Sequence, residues 1–404
     1  MIQDDIPTLR ACSLACKAMF ASTRHLIHQT LLLTAQNNQS VLTREEKHHY
    51  LKSNNRHIEL RFLSYLSERG LLRFTRKVHI NMPRTFIPDT LLPHLNHFQS
   101  LDRVHSLTIE HYDITSWANH YKTCFVHFYP TLTSLTLSRP FNHYRLLLQF
   151  ALQFPNLENL CLEWLVPEER IQADLPIPAH IDESPHLRGH LRLAGVDTVV
   201  KWPVDLANEL PNGINFRSVE LEGFFGSRAQ HTLNACAHTL ENLTIVPHET
   251  GTHQLSLAMM GRLTNFPSTG YLQLHNLKFT HIPVLRRLTL RIVFPQLSFL
   301  ALELLPRAFS TITSPVFCEL VLELSKLPSH LYGASSVYWR GWDRIDRFLE
   351  GRFADRKGFG LIIRTGKLHN QGTFERRTKD TFSLLESKGC VRFETCPSIE
   401  KSGC

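Results

Sequence analysis

The sequence has no apolar segment long enough to cross a bilayer, since no run approaches the roughly 20 residues that a transmembrane helix needs. Asp4 and Asp5 stand near the N-terminus, where a secretory signal peptide would carry basic residues, and no long apolar segment follows them. These absences predict an intracellular protein, cytoplasmic or nuclear, without a membrane partner.

Cysteine is present, but not in an arrangement typical of disulfide frameworks or zinc sites. The nine cysteines are scattered and odd in number, which favours reduced, buried thiols. Cys12 and Cys16 precede His25 and His28, a spacing that only loosely resembles a zinc site. The Cys-x2-Cys turn is missing, and both cysteines fall on the apolar face of a predicted helix. We therefore expect no metal there.

Catalytic motifs are also lacking. The segment from His248 to His253 places its second histidine one residue too late for the zinc-protease motif. Neither the Walker A spacing nor a Gly-x-Ser-x-Gly nucleophile elbow occurs. The sequence therefore predicts a protein that is not an enzyme and that binds no cofactor.

The charge balance is basic, with a formal net charge of +8, but the basic residues are not segregated. They are densest between Arg340 and Lys388, where acidic residues are interleaved with them. This interleaving favours solvated helix faces over a groove that follows phosphates. Motifs that alternate aromatic and basic residues for base stacking are missing. A nucleic-acid-associated role is accordingly the least favoured of the functions considered.

A repeated strand pattern, apolar-x-x-apolar-x-apolar, runs through the middle of the chain. Its central residue recurs at steps of 24 to 31 residues, close to the period of leucine-rich repeats. The copies are Val104–Ile109, Leu132–Leu137, Leu157–Leu162, Phe216–Leu221, Leu240–Ile245 and Leu285–Leu290, with a slipped copy ending in Leu191 and Leu193.

The segments between these strands have helical patterns. Residues 144–154 form a leucine-rich predicted helix that Pro155 ends, and residues 56–70 form another that Gly70 ends. A strand–helix unit cannot bury its own apolar face, so neighbouring units must stack. The predicted fold class is α/β: an irregular, leucine-rich-repeat-like solenoid over residues 56–335, with parallel strands and helices on its convex side.

Three further segments complete the predicted organisation. Residues 1–34 hold small helices and a strand at Thr30–Thr34, and residues 35–55 form a linker. Residues 336–404 are predicted to cap the solenoid. Within this cap the pattern predicts a helix at Trp342–Phe353, a strand at 358–366, a helix at 374–389 and a last strand from Val391.

The stretch from Cys12 to His28 resembles the second half of the F-box in fungal F-box proteins with leucine-rich-repeat-like bodies. The matching positions are Cys12, Ser13, Leu14, Cys16 and Lys17, and Met19 stands where the family has tryptophan. The segments FVHFYPTLTSLTL and FALQFPNLENLCLEWL are also typical of this family. The first F-box helix has no counterpart in the sequence.

The resemblance implies a substrate-recruiting adaptor of a cullin-RING (SCF-type) ubiquitin ligase. Such a protein docks on a Skp-type adaptor and presents an unknown protein substrate. The docking helix would use Pro7, Leu9, Leu14, Lys17 and Met19. Because only half of the motif matches, the alternative is an interaction scaffold that has lost ligase docking.

Strand geometry selects candidate residues for binding the partner. In each strand the apolar pair faces the core, so the residues between and after it face the concave side. The main candidates are Glu110, Glu163, Arg192, Glu220, Glu222 and Arg291, together with Thr108, Thr136, Cys161, Thr244 and Thr289.

Overall fold

The structure is a computed structural model, and it describes part of the chain. The described residues are 29–34, 57–59, 66–81, 97–110, 125–138, 150–163, 188–194, 214–222, 227–246, 277–293, 299–325, 341–366, 368 and 371–395. The chain divides into two compact units, 1–188 with 197–199 and 189–196 with 200–404. We call these the first and second units.

The first unit contains a parallel β-sheet. Its described strands are β1 (Thr30–Thr34), β2 (His57–Glu59), β3 (Lys77–Asn81), β4 (Ser106–Glu110), β5 (Ser134–Ser138) and β6 (Asn159–Glu163). The order is β2-β1-β3-β4-β5-β6, and every pair is parallel. Short 3-10 helices at Leu72–Phe74 and Val126–Phe128 precede β3 and β5.

The second unit contains the remaining strands in simple chain order. They are β7 (Arg188–Ala194), β8 (Asn215–Glu222), β9 (Asn242–Val246), β10 (Arg287–Val293), β11 (Glu319–Ser325), β12 (Gly360–Thr365) and β13 (Val391–Thr395). From β8 to β13 each strand pairs in parallel with the next. The helices are α1 (Ser227–Ala235), α2 (Phe299–Ser310), α3 (Trp342–Phe353), α4 (Gln371–Thr381) and α5 (Ser383–Ser387).

Parallel neighbours in chain order require a crossover after every strand, as in a solenoid. The predicted α/β class and its solenoid-like arrangement of parallel strands are therefore confirmed. Strands β12 and β13 extend the same parallel pairing from β11, so the C-terminal segment continues the strand series.

Strand residues alternate between a buried and a more open face, as a period of two requires. In β6, Leu160 and Leu162 are fully buried, whereas Cys161 between them is half-buried. The same alternation of buried and half-buried residues holds along β4. The strand register assigned from the sequence pattern is correct in these elements.

Two predicted helices need correction. The helix predicted over residues 56–70 is wrong at its start, because His57–Glu59 pairs with β1 as strand β2. Its end is helical, and Gly70 has φ +61°, which glycine tolerates at a helix end. The single helix predicted over residues 374–389 is divided into α4 and α5 around Phe382. Of the helix predicted over residues 144–154, only the end from Phe150 is described.

Backbone hydrogen bonds join successive units just before their strands. The Gln29 carbonyl accepts N–H groups from both Arg76 (2.8 Å) and Lys77 (2.9 Å). In the second unit, the Glu241 carbonyl accepts from Arg286 (2.8 Å) and Arg287 (3.0 Å). One carbonyl that accepts from two consecutive residues fixes how far each strand slides along its neighbour.

Polar side chains four residues before the central strand leucine add a second set of links. Thr131 Oγ1 donates to the Val104 carbonyl at 2.8 Å, and Asn156 Nδ2 donates to the Pro130 carbonyl at 2.8 Å. Thr239 Oγ1 makes the corresponding bond to Phe216 at 3.1 Å. These bonds satisfy carbonyls in turns that have no strand partner.

Phenylalanine side chains fill the core beside the strands of the first unit. The ring centroids of Phe98 and Phe128 lie 5.9 Å apart, and Phe125 meets Phe150 edge-on at 5.4 Å. Phe150 meets Phe154 edge-on at 5.1 Å. All five rings are buried, and aromatic pairs in this geometry add to the stabilisation from burial.

The last helices pack together around a buried carboxylate. Asp346 of α3 accepts the backbone N–H groups of Leu384 (2.9 Å) and Leu385 (3.1 Å), at the start of α5. Burial raises the pKa of Asp346, although these two hydrogen bonds act in the opposite direction. The aspartate therefore caps the short helix α5 from a different helix.

Gln230 of α1 connects two segments that are distant in sequence. Its side-chain amide donates to the Lys278 carbonyl (2.8 Å) and accepts the Lys278 N–H (2.7 Å), as a paired strand residue would. The two residues are 48 positions apart. This pair, which we call the Gln230 bridge, holds residue 278 against α1 ahead of β10.

We expect Gln230→Ala to lower the free energy of unfolding by about 1–2 kcal/mol, because two hydrogen bonds are lost and the Lys278 backbone keeps partial access to water. Urea denaturation measures this change. His231→Ala, at the neighbouring exposed position of α1, is the matched control and should have almost no effect. Equal effects of both variants would show that the bridge contributes nothing.

Candidate functional site

A set of alternating charges covers the open face of the second unit's sheet. We call it the charged face. Its residues point away from the buried leucines of the same strands, as side-chain alternation requires. They are Arg192 of β7, Glu220 and Glu222 of β8, Arg287 and Arg291 of β10, Glu319 and Glu323 of β11, Arg364 of β12 and Glu394 of β13.

Arg192 connects two glutamates at one end of the charged face. Its Nη2 lies 2.7 Å from Glu222 Oε2, and its Nε lies 3.3 Å from Glu220 Oε1. Glu220 Oε1 also lies 3.6 Å from Nη1 of Arg291. Each charge is therefore shared between neighbours of opposite sign.

The network continues across the next strands. Arg291 Nε donates to Glu323 Oε2 at 3.0 Å, and Arg364 Nη1 donates to Glu323 Oε1 at 2.7 Å. Arg364 Nη2 then donates to Glu394 Oε2 at 2.7 Å. The order Glu222, Arg192, Glu220, Arg291, Glu323, Arg364, Glu394 is thus an unbroken series of alternating sign, which we call the charge ladder.

A small residue allows the ladder to cross β9. Thr244 lies in register between Glu220 of β8 and Thr289 of β10. A long side chain at Thr244 would stand between Arg291 and Glu220, which meet across this strand. The ladder therefore depends on the size of an uncharged residue as well as on its charges.

Hydrogen bonding shifts the ionisation of the ladder. Burial lowers the pKa of Arg364, but its hydrogen bonds to Glu394 and Glu323 outweigh this effect and raise the pKa overall. The guanidinium is therefore charged at any physiological pH. At the other end, burial lowers the pKa of His190 despite the opposing field of Glu220, and its Nδ1 lies 3.0 Å from Ser218 Oγ.

The middle of the charged face is closed to solvent. Thr289, Val321 and Ile362 occupy one register row across β10, β11 and β12. They are 5%, 0% and 4% exposed. Thr289 was selected from the sequence as a contact residue, and it lies on the expected face, but its side chain is not accessible there.

The sequence-selected residues of the first unit occupy the corresponding face of its sheet. Glu110 accepts from Asn81 Nδ2 at 2.9 Å and lies 3.1 Å from His79 Nε2. Cys161 Sγ lies 3.4 Å from Glu163 Oε1. The hydroxyls of Thr108 and Thr136 are half-exposed beside them. This face carries fewer charges than the charged face.

The structure places the six main candidates on the open strand faces and joins Arg192, Glu220, Glu222 and Arg291 in one network. Their role in binding a partner stays a prediction. The residues assigned to adaptor docking lie outside the described part of the chain: Pro7, Leu9, Leu14, Lys17 and Met19. Sequence reasoning missed Glu323, Arg364 and Glu394, because no repeat was assigned to β11–β13.

The reactive side chains of the described residues have structural surroundings. Burial raises the pKa of Cys236 to about 12, so its thiol stays protonated and packs as a small apolar group. No group of three or more His, Cys, Asp or Glu side chains within the described ranges is arranged to hold a metal ion. Within those ranges, no helix combines the length and apolarity needed to cross a membrane.

Comparison with known proteins adds no assignment: the chain matches no family model, and no curated protein is significantly similar to it. The functional argument accordingly depends on the residues and their geometry.

Proposed function

We propose that the protein is a non-catalytic interaction module that binds a partner protein through the charged face. The charge ladder is the observation that carries this proposal. Its arginines and glutamates are partly exposed at the ends, and each is held by a neighbour on a hydrogen-bonded sheet. Side chains that are already fixed lose little conformational entropy on binding.

Alternating charges in fixed positions favour specificity over bulk affinity. A partner whose charges match the order of the ladder is attracted, whereas a mismatched partner places like charges together at a cost of several kcal/mol. Because the ladder carries both signs in nearly equal number, it does not attract polyanions in general. This supports a protein partner over a nucleic acid.

We further propose that this module recruits its partner to a cullin-RING ubiquitin ligase. The F-box-like stretch Cys12–His28 supports this role, and the solenoid-like parallel sheets are compatible with the leucine-rich-repeat-like body of that family. The protein would perform no chemistry itself. It would raise the effective concentration of a target near the ligase by binding both.

A two-arm experiment tests the two parts of the proposal separately. Proximity labelling in cells compares the wild type with Glu222→Lys, which changes the end of the ladder, and with Leu14→Glu, which changes the predicted docking helix. Glu222→Lys should lose the client proteins and keep the Skp-type adaptor. Leu14→Glu should lose the adaptor and keep the clients.

Glu375→Lys on α4 is the matched control, because it makes the same charge change away from the sheet, and it should keep both sets of proteins. Loss of clients in this control as well would contradict the charged face as the binding surface. If the wild type labels clients but no Skp-type adaptor, the ligase role is excluded and a scaffold without ligase docking remains.

A further inference from the structure

The turns that enter β3 and β4 carry a concentration of exposed basic side chains at one edge of the first unit's sheet. Because both strands are parallel, their N-terminal ends lie at the same edge. We call this surface the basic edge, and it consists of Arg73, Arg76, Lys77, Arg103 and His105, of which all five are exposed.

Three contacts bring these side chains together. Arg76 Nη1 lies 3.2 Å from His105 Nε2, across the two strand entries. Lys77 is the register partner of Ser106, next to His105. The turns before the strands also meet, since the Oγ atoms of Ser67 and Ser100 are 3.4 Å apart. The basic residues thus form one surface.

The basic edge is not neutralised within the described part of the molecule. Arg73, Arg76, Lys77 and Arg103 form no ion pair with any described carboxylate, and the nearby acids Glu68 and Asp102 are exposed. The guanidinium of Arg73 instead lies over the Phe74 ring, 4.9 Å from its centroid. Positive charge is therefore available to an incoming anion.

The corresponding edge of the second unit behaves differently. There the residues before the strands alternate in sign, and Arg286 lies 4.0 Å from Glu241. Arg287 forms an ion pair with Glu319 on the next strand. Unpaired basic charge is thus a feature of the first unit's edge and not of strand entries in general.

His105 orients Arg76 within the basic edge. A guanidinium can only donate, so His105 Nε2 accepts from Arg76 and its Nδ1 carries the proton. That Nδ1 lies 3.3 Å from the Thr131 carbonyl, which it can reach as a donor. The imidazole is therefore neutral here, and it holds the arginine without cancelling its charge.

We propose that the basic edge binds an acidic segment of a partner protein, rich in Asp and Glu. Several cations at one edge match closely spaced carboxylates, and arginine pairs with carboxylates in two-point geometry. A nucleic acid fits less well, because Glu68 and Asp102 interrupt the surface and Arg73 already covers Phe74. This surface is separate from the charged face and does not depend on the proposed function.

The test is a fluorescence anisotropy titration of the full chain with a fluorescein-labelled decapeptide of alternating Glu and Ser, at about 50 mM NaCl. We expect Arg76→Glu/Arg103→Glu to weaken binding by about tenfold or more, since exposed ion pairs contribute up to about fivefold each and reversal adds repulsion. The matched control Arg217→Glu/Arg307→Glu makes the same charge change at two exposed positions of the second unit. It should stay within about threefold of the wild type.

Arg76→Gln/Arg103→Gln should weaken binding to an intermediate extent, and it keeps the test decisive if charge reversal disturbs folding. Equal losses in the control would show an effect of net charge alone and overturn the proposal. It would also be overturned if a single-stranded RNA decamer bound more tightly than the peptide and lost binding in the same variants. Absence of peptide binding by the folded wild type would have the same consequence.

Discussion

Replacing Glu323 by alanine is expected to lower the free energy of local opening of β11 by about 3 kcal/mol. Glu323 is only 7% exposed and accepts hydrogen bonds from both Arg291 and Arg364. Removing one member of a buried ion pair costs about 3–5 kcal/mol, because its partner keeps a charge without compensation. We expect the lower end of this range, because both arginines retain some contact with water. Hydrogen–deuterium exchange of the residues in β11 measures the effect.

Glu394→Ala provides the matched control at the end of the same ladder. Glu394 pairs with Arg364 at 2.7 Å, as Glu323 does, but its side chain is 45% exposed. Exposed ion pairs contribute at most about 1 kcal/mol, so this variant should leave β11 nearly unchanged. Similar losses of protection in the two variants would show that burial does not set the strength of the ladder.

The second large effect is expected at Leu160. It is 1% exposed and lies in register with the buried Leu135 of β5. Leu160→Ala should lower the free energy of unfolding by about 2–5 kcal/mol, since the truncation removes apolar contacts and leaves a cavity. Urea denaturation followed by circular dichroism measures this loss.

Cys161→Ala is the control in the same strand. The Cys161 side chain is half-buried on the opposite face, so its truncation should cost less than about 1 kcal/mol. A larger loss for Cys161 than for Leu160 would mean that the alternation of faces in β6 is reversed.

The sequence predicted the strands whose apolar residues follow the repeated pattern. Strands β4, β5, β6, β8, β9 and β10 lie where copies of the pattern end. Strand β3 was missed, because the buried residue three positions before Val78 is Thr75, a polar residue. Strand β11 was missed although Phe317, Leu320 and Leu322 match the pattern, because it follows Leu288 at a longer step of 32 residues.

The face of each candidate residue could be predicted, but its partners could not. Alternation along a strand places Arg192 and Glu220 on the open face from local sequence alone. The ion pairs join residues that are about 30 to 41 positions apart, such as Arg192 with Glu222 and Arg364 with Glu323. These contacts depend on the register between strands, which backbone hydrogen bonds outside the strands help to fix. The importance of Thr244 follows from the same register.

The basic edge was invisible for a related reason. Arg76 and His105 are 29 residues apart, and each alone is an ordinary exposed residue of a turn. Only parallel stacking brings the turns before successive strands to one edge. Net charge, the quantity that the sequence supplies directly, does not distinguish this unpaired surface from the paired arginines of the second unit.

The Gln230 bridge bears on how the chain can diverge during evolution. It fixes residue 278 to α1, while β9 and β10 pair directly, so both ends of the intervening segment are anchored independently of its sequence. Doubling the length of a segment with fixed ends adds only about 0.6 kcal/mol of closure entropy. Related chains could therefore gain, lose or exchange residues between positions 246 and 277 while the sheet on either side keeps its register. Variation in length among relatives would be tolerated at this point before it is tolerated at strand entries whose carbonyls each accept two hydrogen bonds.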